Sequence, residues 1–300
     1  MSAPVEVAYL GPADTNTHEV ARALFAHASK LRPLSTIERV FDAVEQGEVP
    51  FGVVPIENSI AGTVRETVDA LITGSLRIAR EHELAIRHTL AARPGVTLRD
   101  VRRVLSKDQA LSQCRRWLDA HGPDWERIPS TSTAQAAKDV LSDPEAAAIA
   151  PPLAVKNLGL SVLCDNIADR DDNATRFVVV AREDSPPSPR APGAPSPDKT
   201  SLVFVAPHER GGLRKVLGVF DDAFVNLTRI ESRPLVGLHG PRWEYAFVVD
   251  AEGHRLESPL REALEGLDAM GALVKVLGSY PRARASVSHA LDLSQARPSS

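Results

Sequence analysis

The sequence predicts a mixed α/β protein in which an α/β region of two units is followed by a ferredoxin-like unit. Short apolar runs alternate with polar turns and amphipathic segments through residues 1–183, which is the pattern of a sheet that gathers ligand groups along one edge. Residues 184–198 are rich in proline and poor in large apolar side chains, as in a semi-rigid linker. Residues 199–281 then show the βαββαβ pattern of the ferredoxin-like arrangement.

Composition limits the classes of function that are expected. The 300 residues carry a formal net charge of −4, and 43% of them are hydrophobic, as in an ordinary globular protein. No block of Lys and Arg occurs, so nucleic acid is not an expected partner. No apolar run approaches the ~18 residues of a membrane span, and a cytoplasmic protein without membrane contact is expected. The two cysteines, Cys114 and Cys164, predict neither a disulfide nor a metal site.

The first predicted elements bring hydroxyl groups to a strand-to-helix turn. Residues 5–10 predict a strand, and a Gly-Pro turn separates this strand from a helix expected over about residues 18–27. Thr15 and Thr17 lie in or next to this turn. Hydroxyl and free N–H groups at such a turn suit an anionic ligand, and a plain helix cap explains the same residues equally well.

The next predicted strand leads to two further polar side chains. Residues 51–55 predict a short buried strand, which is followed by Asn58 and Ser59 and then by a helix expected over about residues 62–71. A second unit is expected to start near Arg77, where the chain leaves the first lobe. The polar pair again follows the carboxyl end of a strand, which is where open α/β sheets place ligand groups.

The second unit repeats the order of strand, polar turn and helix. Residues 101–106 predict a strand that ends at Ser106, and the helix that follows carries Gln113. Ser132 and Thr133 belong to a polar run that can cap another helix. Because these side chains also follow strands, we expect them at the same edge of the α/β region as the polar groups of the first unit.

Another group of candidates precedes the apolar run 178–180, which predicts a buried strand. Asn173 and Thr175 supply neutral donors, and Arg176 supplies a cation. Together with the other turns they can hold a small polyanion and stabilise a movement of charge. Taken singly, such residues are more often helix caps, ion pairs or, for Phe177, core. The sequence contains no glycine-rich phosphate loop, dinucleotide fingerprint, HExxH or GxSxG motif, so the prediction depends on these donors appearing jointly at strand ends.

These segments resemble the prephenate dehydratase family with a C-terminal ACT regulatory domain. Residues 53–59 look like its VPIENS segment, residues 132–137 look like its STAxAA segment, and residues 173–177 look like its signature ending in TRF. Residues 226–234 are similar to its NLTxIESRP motif over the whole length, which is a highly specific match. The resemblance covers about residues 5–281 in the order of the family.

The resemblance implies a domain organisation. Residues 1–183 would form a two-lobed catalytic domain resembling periplasmic binding proteins, with the second lobe at about residues 77–165. The Pro-rich linker at 184–198 would lead to the ACT domain at 199–281. Residues 282–300 would form a flexible tail.

The resemblance also implies the conversion of prephenate to phenylpyruvate, carbon dioxide and water, without a cofactor or a metal. Thr175 matches the threonine that assists departure of the hydroxyl, and its weak acidity favours a hydrogen bond to the leaving oxygen. Arg176 would anchor a substrate carboxylate through paired hydrogen bonds. The other positions implied for catalysis are Asn58, Ser106 and Gln113. The other residues expected to bind substrate are Thr15, Thr17, Ser59, Ser132, Thr133, Asn173 and Phe177.

By the same resemblance, the ACT domain would bind phenylalanine at an interface between copies of the chain. This implies a homodimer or a homotetramer. Gly212 stands where the family usually has alanine, which is expected to be a minor change. The residues implied for the effector site are Gly211, Gly212, Leu213, Asn226, Leu227, Glu231, Ser232, Arg233 and Pro234.

Two turns depart from the family pattern. Asp14 and Asn16 replace a glycine and an aromatic residue, while Lys107 and Asp108 replace the histidine and proline of an SHPQ segment. Leu158 also stands where an aromatic residue is usual. The two changed turns lie beside the expected cleft and leave three alternatives open. These are arogenate as the substrate, decarboxylation of prephenate with retention of the hydroxyl, and an amino-acid sensor without catalysis.

Overall fold

The computed structural model describes the chain at residues 5–26, 30–189, 196–234 and 245–283. Its strands form three sheets with helices packed on them, so the predicted mixed α/β class is confirmed. No helix within these ranges is long and apolar enough to cross a membrane. Parts of three predictions lie outside the described residues: the end of the first helix at residue 27, the linker at 190–195 and the tail at 284–300.

The first sheet combines strands from the beginning and the end of the predicted catalytic region. Its order is β2-β1-β3-β11-β5, with β4 paired to β3, and β11 runs antiparallel to both of its neighbours. Its strands are β1 (Glu6–Leu10), β2 (Lys30–Leu34), β3 (Phe51–Asn58), β4 (Gly62–Thr63), β5 (Arg77–Ala85) and β11 (Ala174–Ala181), and its helices are α1 (Asn16–Leu24), α2 (Ile37–Glu45) and α3 (Arg65–Thr73).

The second sheet contains the strands between β5 and β11, in the order β10-β6-β9-β7-β8. Its strands are β6 (Thr89–Ala92), β7 (Arg103–Ser106), β8 (Glu126–Pro129), β9 (Ala146–Ala150) and β10 (Ser161–Cys164), and its helices are α4 (Asp108–Gln113), α5 (Arg115–His121), α6 (Thr133–Asp139) and α7 (Pro152–Asn157), with a 3-10 turn at Val140–Ser142. The prediction that the second lobe starts near Arg77 is wrong. Because β5 pairs with β11 over its length, it belongs to the first sheet.

The third sheet is antiparallel, in the order β13-β14-β12-β15. Its elements follow each other as strand, helix, strand, strand, helix and strand. They are β12 (Asp198–Val205), α8 (Gly212–Asp222), β13 (Leu227–Pro234), β14 (Tyr245–Glu252), α9 (Leu260–Ala269) and β15 (Leu273–Pro281).

Polar residues before the helices explain where several of them begin. The Thr36 hydroxyl accepts a hydrogen bond from the Arg39 N–H at the start of α2. Thr15 caps α1 and Ser132 caps α6 in the same way. Each cap satisfies one of the backbone donors that a helix start leaves without a partner. Helix α4 ends at Cys114, where the backbone departs from helical geometry, so the predicted single helix is two short ones.

The first and third sheets share one apolar core. Ile78 and Val178 of the first sheet pack in the same buried cluster as Val203 and Leu277 of the third sheet. At the closest point a Cβ on Gly278 would lie 2.2 Å from the carbonyl oxygen of Ile78, so only a residue without a side chain fits. The second sheet has separate apolar clusters of its own.

The described part of the predicted linker is bound to the first and third sheets. The guanidinium of Arg255 donates two hydrogen bonds to Asp184, at 2.8 and 3.0 Å. The Ser185 hydroxyl donates to the carbonyl oxygen of Ala79 at 2.6 Å. Residues 184–189 form neither helix nor strand, but their polar groups hold this segment against both neighbours.

Candidate active site

A cleft of about 740 Å³ opens between the first and second sheets. The first sheet contributes the β1–α1 turn and the ends of β3 and β11, while the second contributes the starts of α4 and α6. A second opening of about 840 Å³ adjoins this cleft and shares Asn58, Lys107 and Thr175 with it. The sheet edge that the sequence predicts for ligand groups therefore faces a cavity of substrate size.

Eight of the twelve predicted catalytic and substrate-binding residues line the cleft. They come from both sides of it, so the fold brings together positions that lie far apart in the chain. They are Thr15, Thr17, Asn58, Gln113, Ser132, Thr133, Thr175 and Phe177.

Thr175 and Asn58 form a pair across the β3–β11 register. The Asn58 amide nitrogen donates a hydrogen bond of 2.9 Å to the Thr175 hydroxyl oxygen. The Asn58 amide oxygen accepts from the backbone N–H groups of Ile60 and Ala61, at 3.1 and 2.8 Å, and this fixes the orientation of the amide. Because the Thr175 oxygen already accepts one bond, its own hydrogen can be donated to a group in the cleft.

A buried chain of hydrogen bonds connects this pair to the second sheet. Asn173 accepts from the Asn58 amide nitrogen at 2.9 Å, and its own amide nitrogen donates to Gln113 Oε1 at 3.1 Å. His88 Nε2 lies 2.8 Å from the same oxygen of Gln113. Since that oxygen only accepts, His88 carries a proton on Nε2. Burial lowers the pKa of His88, and the bond to Gln113 opposes this effect.

His88 is a cleft residue that the sequence reasoning missed. It is buried and lines the cleft directly before β6 begins. The signal that singled out Asn173, a polar residue directly before an apolar strand, was also present at this position.

Ser106 and Ser59 do not line the cleft, which corrects two predictions. Ser106 is fully buried, and its hydroxyl donates to the Ile149 carbonyl at 2.7 Å, so it joins β7 to β9. The Ser59 hydroxyl donates to the Asp172 carbonyl and accepts from the Ala174 N–H. Both hydroxyls stabilise backbone around the cleft and do not reach into it.

Asn173 also stands behind the cleft surface, so the prediction that it binds substrate directly is wrong. It is 2% exposed, and its amide bonds to Asn58 and Gln113. Its position lets it hold in place two residues that do line the cleft.

Arg176 points away from the cleft, so the prediction that it anchors a substrate carboxylate is wrong. Neighbouring residues of a strand face opposite sides, and Thr175 and Phe177 occupy the cleft side. The Arg176 guanidinium bonds to Asp250 of β14 at 2.9 Å and to Glu57 of β3. Burial opposes its charge, but these carboxylates outweigh burial and raise the pKa of Arg176.

The charge of the cleft is carried by one residue. Among the described residues that line it, Lys107 is the only Lys or Arg, and no Asp or Glu is present. The adjoining opening carries Glu38, Asp42, Glu45 and Glu66. Within the described part of the chain, no three His, Cys, Asp or Glu side chains are placed to hold a metal ion. The cleft therefore offers neutral donors and one cation to a ligand.

The residues predicted for an effector site occupy separate places on the third sheet. Gly211, Gly212 and Leu213 lie at the start of α8, and Leu213 lines a hollow of about 480 Å³. Residues 226–234 lie at or along β13, which is an edge strand. Leu213 and Leu227 pack against the same apolar cluster of the third sheet.

Glu231 and Arg233, two of the residues predicted for the effector site, direct their side chains toward the first sheet. Glu231 accepts a hydrogen bond of 2.6 Å from Thr63, and Arg233 donates one of 2.5 Å to Asp69. These contacts face the first sheet, whereas Ser232 on the alternate side of β13 is exposed.

Gly212 does not fit the expectation that its change from alanine is minor. A Cβ at this position would lie 2.0 Å from the Pro207 carbonyl oxygen. The loop before α8 would have to move to accommodate alanine. Gly212 therefore allows the Pro207 carbonyl to approach the start of α8 more closely than an alanine would.

The fold is α/β, and the described lining of the cleft combines neutral donors with the single cation Lys107. Together they define the class of α/β proteins that bind a small anionic molecule in a cleft. Residues 7–185 match the family described as prephenate dehydratase. A prephenate dehydratase from Mycolicibacterium vanbaalenii is 38% identical over 291 residues, which cover 92% of this chain and 90% of the relative. The chain therefore belongs to the prephenate dehydratase family, and it is an enzyme of the hydro-lyase class.

Two further relatives extend this comparison. An arogenate dehydratase/prephenate dehydratase from Arabidopsis thaliana is 38% identical over 286 residues, which cover 92% of this chain and 73% of the relative. The crystal structure of a prephenate dehydratase from Arthrobacter aurescens in complex with L-Phe is 39% identical. It covers 93% of this chain and 90% of that one, with a TM-score of 0.81.

Proposed function

We propose that the cleft converts prephenate to phenylpyruvate, and that Thr175 assists loss of the ring hydroxyl. The observation that carries this proposal is the Asn58–Thr175 hydrogen bond, which leaves the threonine hydrogen free for a bond to the leaving oxygen. A bond of this kind stabilises the charge that develops on that oxygen in the transition state.

The reaction moves an electron pair across the ring. The bond from the ring to its carboxylate breaks and releases carbon dioxide, and its electrons form a new ring double bond. The bond from the opposite ring carbon to the hydroxyl oxygen breaks at the same time. This oxygen leaves as water after taking one proton from the solvent. The Thr175 hydroxyl polarises the leaving oxygen and keeps its own proton overall.

The charges around the cleft favour prephenate over arogenate. Prephenate carries two carboxylates, and the described lining of the cleft holds no carboxylate that would repel it. Arogenate carries an ammonium group, for which the described lining offers no carboxylate partner. Carboxylates line the adjoining opening instead, among them Glu38 and Glu66.

A direct assay tests both points. The purified chain is incubated with prephenate or with arogenate, and the products are identified by mass. Phenylpyruvate should form from prephenate at a higher kcat/KM than phenylalanine forms from arogenate. No phenylpyruvate from a folded sample would overturn the proposed function, and retention of the hydroxyl oxygen would show decarboxylation alone.

For the arrangement of domains, we propose a two-lobed catalytic region and an ACT domain. The first and second sheets would form the two lobes, as in periplasmic binding proteins, because the chain crosses between them only before β6 and after β10. The third sheet would form the ACT domain at 199–281, a proposal supported by its βαββαβ order. The linker would be confined to the segment before β12.

Phenylalanine is proposed to regulate the enzyme through this domain in a homodimer or homotetramer. The Arthrobacter aurescens relative was solved with L-Phe, which supports this ligand. Because β13 is the edge strand of the third sheet, a second copy can pack beside it and would complete the site. Sedimentation and thermal unfolding with and without phenylalanine test this, and a monomer whose Tm does not respond would contradict it.

A further inference from the structure

Lys107 occupies a distinctive position in the cleft. It stands directly before α4 and is exposed, and it lines both the cleft and the adjoining opening. It forms no ion pair with any of the described residues. Its charge is thus available to a ligand that enters between the two sheets.

The other cationic groups near the cleft are occupied or neutral. Arg176 is bound to Asp250 and Glu57 on the far side of β11. His88 is buried, and burial lowers its pKa. A dianionic substrate therefore meets one fixed cation among the described residues of the cleft, and this cation is Lys107.

We infer that Lys107 binds the carboxylate of the substrate's pyruvyl side chain, which the reaction leaves in place. This inference rests on the proposed conversion of prephenate. It makes Lys107 a substrate-binding residue that determines affinity, in a turn where this chain departs from the pattern of its family.

The choice between the two carboxylates follows from the movement of charge. The ring carboxylate gives up its electrons as carbon dioxide forms, and negative charge moves toward the hydroxyl oxygen. A cation paired with the ring carboxylate would stabilise the substrate more than the transition state and would slow the reaction. The side-chain carboxylate keeps its charge throughout. A cation paired with it therefore improves binding without opposing the chemical step.

The product offers a direct test, because phenylpyruvate keeps the side-chain carboxylate and has lost the ring carboxylate. The variants are Lys107→Met, which removes the charge at similar length, and Lys107→Arg, which keeps it. The matched control is Lys138→Met, since Lys138 lies in α6 outside the cleft lining. For each variant, kcat and KM for prephenate and the inhibition constant of phenylpyruvate are measured.

For Lys107→Met, we expect KM and the phenylpyruvate inhibition constant to rise together by about tenfold, as for loss of a charged hydrogen bond. The value of kcat should stay within about twofold. Lys107→Arg and Lys138→Met should resemble the parent. Added salt should raise KM in the parent and have less effect in Lys107→Met, because salt screens an exposed ion pair.

Two results would overturn the inference. The first is a fall in kcat with an unchanged phenylpyruvate inhibition constant, which would place Lys107 at the departing groups. The second is no change in either constant, which would show that Lys107 does not contact the substrate. Failure of the parent to convert prephenate is a different result, because it would overturn the proposed function itself.

Discussion

The hydroxyl of Thr175 is held in one orientation by a short chain of hydrogen bonds from its neighbours. Asn58 donates to its oxygen, and the backbone N–H groups of Ile60 and Ala61 hold the Asn58 amide in place. A threonine hydroxyl is too weak an acid to give up its proton at neutral pH. At the scale of single residues, the contribution proposed for Thr175 is therefore a hydrogen bond whose direction is set before the substrate arrives.

Thr175→Val removes this donor with little change in shape. We expect kcat to fall by about 10² to 10³, as for loss of one donor that stabilises a developing oxyanion, while KM changes little. Steady-state kinetics with prephenate measures both constants. Thr97→Val, at an exposed turn outside the lining of both openings, is the control and should keep the kcat and KM of the parent. A decrease of less than about threefold would show that Thr175 does not assist the hydroxyl.

His88 makes the free energy of unfolding depend on pH in the acid range. Burial lowers its pKa from the ordinary value of 6.5. The unfolded chain therefore binds more protons than the folded one below about pH 6.5, and the free energy of unfolding decreases as pH falls through this region. Burial lowers the pKa of His18 and His82 as well, and they add to the same slope.

His88→Gln should make this dependence shallower below about pH 6.5, because one titrating group is lost. Urea unfolding at several pH values measures the slope. An unchanged slope in His88→Gln would contradict the sign and the source given to this effect.

At the scale of elements, β3 and β11 each present two different faces. Asn58 and Thr175 face the cleft, whereas the preceding Glu57 and the following Arg176 face the third sheet. Arg176 bonds to Asp250 at 2.9 Å, and Asp250 also accepts from the Ser201 hydroxyl at 2.5 Å. Burial opposes the Asp250 charge, but Lys199 and Arg176 outweigh burial and lower its pKa. Asn58 and Thr175 are thus the chain neighbours of Glu57 and Arg176, which form the ionic contact with the third sheet.

Asp250→Asn should lower the free energy of unfolding by about 3 kcal/mol, because it removes the buried carboxylate that Arg176 and Lys199 share and so breaks an ion pair with each of them. Urea denaturation at neutral pH measures this change. Glu265→Gln interrupts the exposed Arg261–Glu265 pair and should cost less than about 1 kcal/mol. Equal effects of the two substitutions would show that the buried contact adds nothing beyond a surface ion pair.

Strand alternation also explains which predictions from sequence could succeed at this scale. The apolar run at 178–180 correctly predicted a buried strand, and its two-residue period already separates Arg176 from Thr175. The error at Arg176 came from reading its charge without this period. The place of β5 was harder to predict, because its pairing with β11 joins residues about a hundred positions apart.

At the scale of the whole molecule, the two sides of the cleft are held by different cores. The first sheet shares its core with the third, while the second sheet has its own. Asn157 of α7 donates a hydrogen bond of 2.7 Å to Asp14 of the β1–α1 turn and so connects the sides directly. Asp14 has a φ of 68°, which lies in the left-handed region that glycine, the family's residue at this position, adopts without strain.

Asn157→Ala and Asp14→Gly should each reduce kcat/KM by about fivefold, the value of one ordinary hydrogen bond, if this contact holds the sides together around substrate. The double variant should lose no more than either single variant, because both remove the same bond. Steady-state kinetics of all three variants measures this. A double variant whose losses multiply would show that the two residues act separately.

The cleft as a whole was predictable only in part. Turns after strands identified Thr15, Asn58 and Ser132, because strand ends collect at sheet edges in α/β folds. Ser106 also stands at a strand end, but its hydroxyl donates a hydrogen bond to the Ile149 carbonyl, more than forty residues away in the chain. No local pattern reveals such a partner. Whether a polar side chain faces the cavity or the packing behind it is decided by tertiary contacts.

The shared core has a consequence for any shortened form of this protein. Val203, Leu277 and Tyr280 of the third sheet cover apolar side chains of the first. A chain that ended before β12 would expose this face to water, and exposed patches of this kind promote aggregation. The unit proposed to sense phenylalanine therefore also keeps the catalytic half in solution. Deleting the third sheet is therefore expected to cost solubility, so variants that lose the proposed response to phenylalanine and stay well folded should carry point changes and not truncations.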